Sequence, residues 1–240
     1  MIYAGGYLWV TNLPGSVTQI DASTGVPVRV ITGCGLTGIR NIAADANYLW
    51  VTDTDSNAVT KLNLSDGSCV GSYSGAGYSF DLPYGVLSDG SHVWVTNLGT
   101  TPSSDSITVL NASDGSVVSV LSDPAYGFQR PVGIASDGTN LWVSNSDGNS
   151  LSQIRLSDNA PIRTVSGLNL PDDITIDGTH VWVTNIVGNP VVEFDSSSGA
   201  LLKTFDAPTN IFSGPLAPTV VNGYVYIANA NGNFLSRVPA

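Results

Sequence analysis

The chain has 240 residues, of which only 11% are charged, while glycine reaches 26 and apolar residues 42%. Nineteen acids against eight bases give a formal charge of -11 with no basic run, which argues against nucleic acid and anionic membrane surfaces as partners. No apolar run approaches the roughly 18 residues needed to span a bilayer, and the start MIYAGG lacks the basic and apolar regions of a signal peptide.

Along the chain, five tryptophans fall in near-identical words: YLWVTN (Trp9), YLWVTD (Trp50), HVWVTN (Trp94), NLWVSN (Trp142) and HVWVTN (Trp182). A sixth copy, YVYIAN, carries Tyr226. The intervals of 41, 44, 48, 40 and 44 residues lie in the range where self-similarity signals a propeller or solenoid. The third copy reads as four short strands, a to d: YGVLSDG, SHVWVTN, SITVLNASDG and SVVSVLSD. Turns such as Asp89-Gly90 and Asp114-Gly115 join them, because Gly supplies the positive φ a tight hairpin needs.

Strand b carries continuous apolar triplets (Leu8-Trp9-Val10, Val93-Trp94-Val95), so both of its faces must be buried. Strand d alternates more and carries Arg29, Arg163 and Lys203 at matching positions, the placement of charge expected on an exposed edge. Strand a is then innermost, lining a channel. The predicted fold is all-β: a six-bladed β-propeller of four-stranded antiparallel blades, one domain over residues 1–240. An open β-solenoid has shorter usual periods.

The words LWVTN followed by SVTQIDASTG, and HVWVTN followed by VVEFDSSSG, resemble the YVTN and NHL-type propeller repeats over nearly the whole chain. The resemblance implies the propeller fold. It spans sensor domains of bacterial receptor kinases, surface proteins and, more distantly, streptogramin lyases, so it does not select a function. For a lyase it implies a His base and a carboxylate-held magnesium ion. Here the sole Glu, Glu193, falls in strand c, and no His maps to a channel loop, which counts against that activity.

Repeat 1 begins within strand a at Met1 to Ala4, and repeat 6 stops after strand c at Phe234 to Ala240. The last blade is therefore expected to lack its outer strand. The chain would be an excised domain or have an incomplete closing blade, whose strand c edge is open to pairing with another chain. The low-lysine surface rich in Asn, Ser, Thr and Gly suits a secreted or envelope-exposed bacterial domain, giving an extracellular or cell-envelope location. Cys34 and Cys69 are about seven residues out of register between neighbouring d strands, of order 20 Å at ~3.3 Å per residue, so both are expected as free thiols. Their spacing matches no zinc motif.

Repeat-explained residues account for most polar groups. His92 and His180 stand two before the repeat Trp, where other copies carry Tyr7, Tyr48, Asn140 and Tyr224, and read as packing or turn positions. Asp53-Thr-Asp55-Ser-Asn57 imitates half of a calcium loop, but Ala58 and Leu64 replace its essential Gly and Glu. A turn cap is the simpler role, shared with Asn12, Asn97, Asn145, Asn185 and Asn229. No metal and no cofactor are expected.

Two surfaces are left. The d-to-a connections hold Arg40, Asn41, Tyr84, Arg130, Asp172 and Asp173, the ligand-binding candidates. Aligned on the Trp, Arg40, Tyr84, Val132, Asp172 and Leu216 share one position, and Asn41, Gly85, Gly133, Asp173 and Ala217 the next. Asp172 and Asp173 are adjacent and should point to opposite sides of an extended strand, which argues against a catalytic dyad. The long insertions Gly99 to Ser106, Ser122 to Gln129 and Asp206 to Leu216 form the second surface, with Tyr78, Phe80, Tyr126, Phe128 and Phe212 either as rim contacts or tucking the loops onto the blades.

The composite reading is a non-catalytic binding module for a protein, glycan or small polar ligand. A propeller lyase or hydrolase of a small polar substrate is the alternative, requiring Arg40, Arg130 and Asp173 to converge. A sensor or structural domain cut from a longer protein is the third.

Overall fold

The structure is a computed structural model that describes residues 1–188, 190–205, 212–232 and 234–240. Five sheets have four antiparallel strands in sequence order and the sixth has three. Blade 1 comprises β1 (Ile2–Ala4), β2 (Tyr7–Asn12), β3 (Ser16–Asp21) and β4 (Pro27–Ile31). Blade 2 comprises β5 (Ile39–Ala44), β6 (Tyr48–Asp53), β7 (Ala58–Asn63) and β8 (Cys69–Ser74); blade 3, β9 (Pro83–Ser88), β10 (His92–Asn97), β11 (Ser106–Asn111) and β12 (Val117–Leu121). Blade 4 follows with β13 (Pro131–Ser136), β14 (Asn140–Asn145), β15 (Ser150–Arg155) and β16 (Pro161–Ser166). Blade 5 has β17 (Pro171–Asp177), β18 (His180–Asn185), β19 (Val191–Asp195) and β20 (Leu201–Phe205); blade 6 has β21 (Pro215–Val221), β22 (Tyr224–Asn229) and β23 (Phe234–Pro239). This is the six-bladed β-propeller expected from the repeat, with three strands in its last blade. The chain divides into two compact units, Met1–Ser122 and Asp123–Ala240.

Within each unit, the apolar triplets of strand b are buried between successive sheets. Trp9 and Val17 pack against Ile42, Leu49, Val51 and Leu62 of blade 2; Trp50 and Val59 pack against Val86, Val93, Val95 and Leu110 of blade 3. In the second unit, Trp142 packs with Val181, Val183 and Phe194, and Trp182 with Val225, Ile227 and Val238. All five tryptophans are at most 1% exposed. Removing an indole of about 200 Å² from water is worth up to roughly 5 kcal/mol, so these contacts dominate the cohesion between blades.

Strand c contributes a polar residue opposite the Trp. Lys61, buried, donates from Nζ to the carbonyl oxygens of Ala112 and Ser113 in blade 3 at 2.7 and 3.0 Å, and lies 3.7 Å from the centre of the Tyr48 ring. Burial lowers its pKa, opposed by Asp45 and Asp114. In the same position Gln153 donates from Nε2 to Ser196 O at 2.9 Å. Gln19, fully buried, has no hydrogen-bond partner for either side-chain atom.

The Asp-led turns act as turn formers. Asp89 Oδ1 accepts the amides of Ser91 and His92, and Asp137 Oδ1 those of Thr139 and Asn140. The Trp-word Asn residues are caps, but they reach beyond their own turn. Asn185 and Asn229 accept from the amides of Asn169 and Ser213 in the preceding connection at 2.9 and 2.8 Å. Asp53 plays that role in blade 2, accepting from Thr37, Gly38 and Ser56, so its carboxylate closes backbone turns.

The cysteines correct the sequence reading. Cys34 and Cys69 form a disulfide with Cα atoms 5.8 Å apart. The overshoot counted along the strand axis is cancelled because the chain reverses after β4: Gly33, Cys34 and Gly35 all have positive φ, 82°, 53° and 76°. Cys34 is thereby folded onto the neighbouring blade, where its carbonyl oxygen accepts from Thr60 Oγ1 at 3.4 Å. A strand-register count cannot see such a reversal.

Candidate functional site

In every blade from the second to the fifth, pairing of the inner strand with its neighbour slips at the same place. Ile39 pairs with Asp53 and Ile42 with Val51, so Arg40 and Asn41 together oppose Thr52. The same two-against-one bulge sets Tyr84 and Gly85 against Thr96, Val132 and Gly133 against Ser144, and Asp172 and Asp173 against Thr184. A bulge of this kind bends the strand and re-aims its side chains. The two variable positions found by aligning the repeats are thus one structural device.

The hydroxyl opposite each bulge holds it. Thr52 Oγ1 accepts from the Asn41 amide at 3.0 Å and donates to the Tyr84 carbonyl oxygen of the next blade at 2.6 Å. Thr11 likewise donates to Arg40 O at 3.2 Å. In the second unit, Ser144 accepts from the Gly133 amide at 2.8 Å and donates to Asp172 O, while Thr184 accepts from Asp173 N at 3.2 Å. Gly133 is required here, because a Cβ would lie 2.6 Å from Asp172 O. Blade 6 has Ala228 in place of the hydroxyl, and its slip moves to lie between Leu216 and Thr219. The WVT word therefore encodes a hydroxyl clip that the sequence reading assigned no role.

In the first unit, this clip brings the backbones of Asn41 and Tyr84 together; Arg40 is exposed and Asn41 and Tyr84 half-buried. In the second unit lie Arg130, Asp172 and Asp173. Arg130 is exposed and has φ 56° in the left-handed region, with its carbonyl oxygen accepting from Ser146 N at 3.0 Å; a non-Gly residue held there stores strain. Asp172 and Asp173 are half-buried. Burial pushes Asp172 up to about 6, with the charge of Asp173 adding to it. Burial also raises Asp173, opposed by the Ile174 amide that its Oδ1 accepts at 2.9 Å. Asp172 and Asp173 lie together in the bulge opposite Thr184.

The loop end of blade 3 holds a groove of about 370 Å³ lined by Phe80, Asp81, Ser103, Ser104, Ser106 and Ser122 among others. Asp81 Oδ2 accepts from the Thr100 amide and hydroxyl at 2.8 and 2.9 Å, fixing the Gly99 to Ser106 insertion. The loop aromatics serve mainly to seat loops: Phe80 and Phe212 are buried, and Tyr78 stacks on Phe80 at 5.5 Å. Tyr126 stacks on Phe128 at 5.2 Å and donates its hydroxyl to Asn159 O at 2.8 Å. Of the third insertion, residues 206–211 lie outside the described residues. At the opposite, turn-bearing end of blades 2 and 3, a second groove of about 600 Å³ is lined by Asn47, Tyr48, Ser91, His92 and Asn111 among others.

His92 sits 5.6 Å from the Trp94 ring, and His180 Nε2 lies 3.7 Å from Glu193 Oε1. Among the described residues no three His, Cys, Asp or Glu side chains group closely enough to hold a metal ion. No described helix is long and apolar enough to cross a membrane.

No protein-family model matches the chain, and no curated protein matches it. Solved structures do. Kuenenia stuttgartiensis hydrazine synthase matches with a TM-score of 0.79 at 18% identity, over 98% of this chain and 74% of that one. A protein of unknown function from Bacteroides caccae matches with a TM-score of 0.69 at 15% identity, over 97% and 89%. The computationally designed Ika8 protein matches with 0.72 at 11%, over 100% and 70%. At such identities the likeness shows the fold alone.

Proposed function

We propose that this propeller is a non-catalytic binding module that presents its ligand contacts on the end bearing the d-to-a connections and b-to-c turns. The observation behind this reading is the repeated bulge. The backbone there is held by the same hydroxyl clip while the side chains differ from blade to blade: Arg40 and Asn41, Tyr84, then Asp172 and Asp173. A constant scaffold with varied side chains suits recognition of a polar partner, whether protein, glycan or small molecule. The Cys34–Cys69 disulfide supports export to an oxidising compartment. Similarity to the YVTN and NHL-type repeats fits surface and sensor roles.

The test is to probe immobilised glycan and peptide arrays with the purified protein and titrate any hit against Arg40→Ala, Tyr84→Ala and Asp172→Asn. At least one of these should weaken binding about tenfold, the scale of a lost charged or aromatic contact, with the near-UV circular dichroism unchanged. Hits indifferent to all three would sink the reading. A catalytic reading has one observation in its favour, the Asp172 carboxyl raised to about 6, which suits a general acid. Product formation from a bound hit that Asp172→Asn abolishes would establish it.

A further inference from the structure

The groove of about 600 Å³ at the turn-bearing end of blades 2 and 3 is built from three turns. Asn47 and Tyr48 come from the a-to-b turn of blade 2, Ser91 and His92 from that of blade 3, and Asn111 and Ser113 from the c-to-d turn of blade 3. One blade earlier, the three corresponding turns enclose a groove of about 360 Å³ that shares Asn47 and Tyr48. Both volumes fall within the range of about 300–1,000 Å³ usual for ligand pockets.

The charges at the larger groove are already spent. Asp45 accepts from the amides of Asn47 and Tyr48 at 2.9 and 2.8 Å and from Trp50 Nε1 at 3.0 Å. The Lys61 ammonium is committed to the carbonyl oxygens of Ala112 and Ser113 and to the Tyr48 ring, 3.7 Å from its centre. A cationic ligand would meet that ammonium, and an anionic one the net charge of -11. What the walls still offer is neutral. Asn111 Oδ1 accepts from the Ser113 amide and hydroxyl at 2.9 and 2.8 Å, but among the described residues no hydrogen bond engages the amide nitrogen of Asn111 or of Asn47. In the smaller groove the corresponding nitrogen, that of Asn63, donates to Ser68 Oγ at 2.7 Å, which singles out the larger one.

We propose that the larger groove binds a neutral saccharide. Its hydroxyls pair with the side chains of Asn47, Ser91 and Asn111, and its C–H faces pack on the half-buried rings of Tyr48 and His92. This site is separate from the loop-end binding proposed above.

The probe is a panel of neutral trisaccharides (maltotriose, cellotriose, mannotriose and N-acetylchitotriose), with trigalacturonate as the anionic control, added at millimolar concentration to the isotope-labelled whole protein. At least one neutral trisaccharide should shift the amide resonances of Asn47, Ser91, His92 and Ser113, and trigalacturonate should not. Asn111→Asp removes the amide donor but keeps the acceptor its turn needs, as Asp21 and Asp195 do at the matching turns of blades 1 and 5. It should weaken the bound sugar about three- to tenfold, as should Asn47→Ala. Asn63→Asp, the same change one blade earlier, should leave the affinity unchanged. No shift with any neutral trisaccharide, equal shifts with trigalacturonate, affinity indifferent to Asn111→Asp and Asn47→Ala, or an equal loss in Asn63→Asp would each overturn the proposal. Shifts confined to Arg40 and Tyr84 would also overturn it, by placing the sugar at the loop end. Failure of the loop-end reading leaves the turn-end result untouched, so the two proposals fail independently.

Discussion

The hydroxyl of Thr52 on β6 and the carbonyl oxygen of Tyr84 on β9, in consecutive blades, are joined by a 2.6 Å hydrogen bond. The Thr52 hydroxyl oxygen in turn accepts from the Asn41 amide at 3.0 Å. One buried hydroxyl thus satisfies a bulge in its own blade and ties that blade to the next, where water has little access.

Replacing this hydroxyl leaves a buried donor and acceptor unpaired. Thr52→Val is expected to cost about 1–3 kcal/mol, while Thr52→Ser, which keeps the oxygen, costs less. Urea unfolding of the two variants beside the parent checks the order.

The Cys34–Cys69 bridge closes a span of 35 residues, which on the chain-entropy account is worth up to about 4 kcal/mol. Reduction, or the double substitution Cys34→Ala with Cys69→Ala, should move the unfolding midpoint down accordingly. An unchanged midpoint once loss of the disulfide is verified by mass would contradict the assignment.

Gln19 is buried with neither side-chain atom partnered, whereas Lys61 and Gln153 at the same position donate to the next blade. Gln19→Met preserves volume and removes the desolvation cost, so stability should rise by about 1 kcal/mol. Calorimetry of the variant gives the sign directly.

The Asp172 carboxyl is raised from 3.8 to about 6, and Asp173 is raised as well. At Asp172 the folded protein therefore holds a proton that the unfolded chain releases between pH 4 and 6, and the stability from this group is full below about pH 4 and is lost as pH rises through 6. Asp172→Asn should flatten that fall and raise stability at pH 7 by on the order of 2 kcal/mol, allowing for its partial exposure. Lowered carboxylates such as Asp53 and Asp195 act in the opposite sense: their contribution is present above pH 4 and lost on acidification. Denaturation at pH 4.5, 6 and 7 separates the two sets.

Local pattern made the blades legible. Continuous apolar triplets around Trp9, Trp50, Trp94, Trp142 and Trp182 demanded burial on both faces, and Asp-led turns fixed where each strand ended, so the four-strand repeat and the short sixth blade could be read directly. The variable pair at Arg40 and Asn41, Tyr84 and Gly85, Asp172 and Asp173 was visible too, as a position, because a repeat supplies its own alignment.

Sequence by itself determined the elements, their order and their buried faces, since these follow from periodicities of two and of about forty residues within one chain. Only the tertiary structure decided what non-local geometry controls. It placed Cys34 against Cys69 through three successive left-handed residues, and turned the inner-strand pair into a bulge clipped by a hydroxyl from a neighbouring strand. Each depends on chain reversal or strand register, which no local propensity specifies.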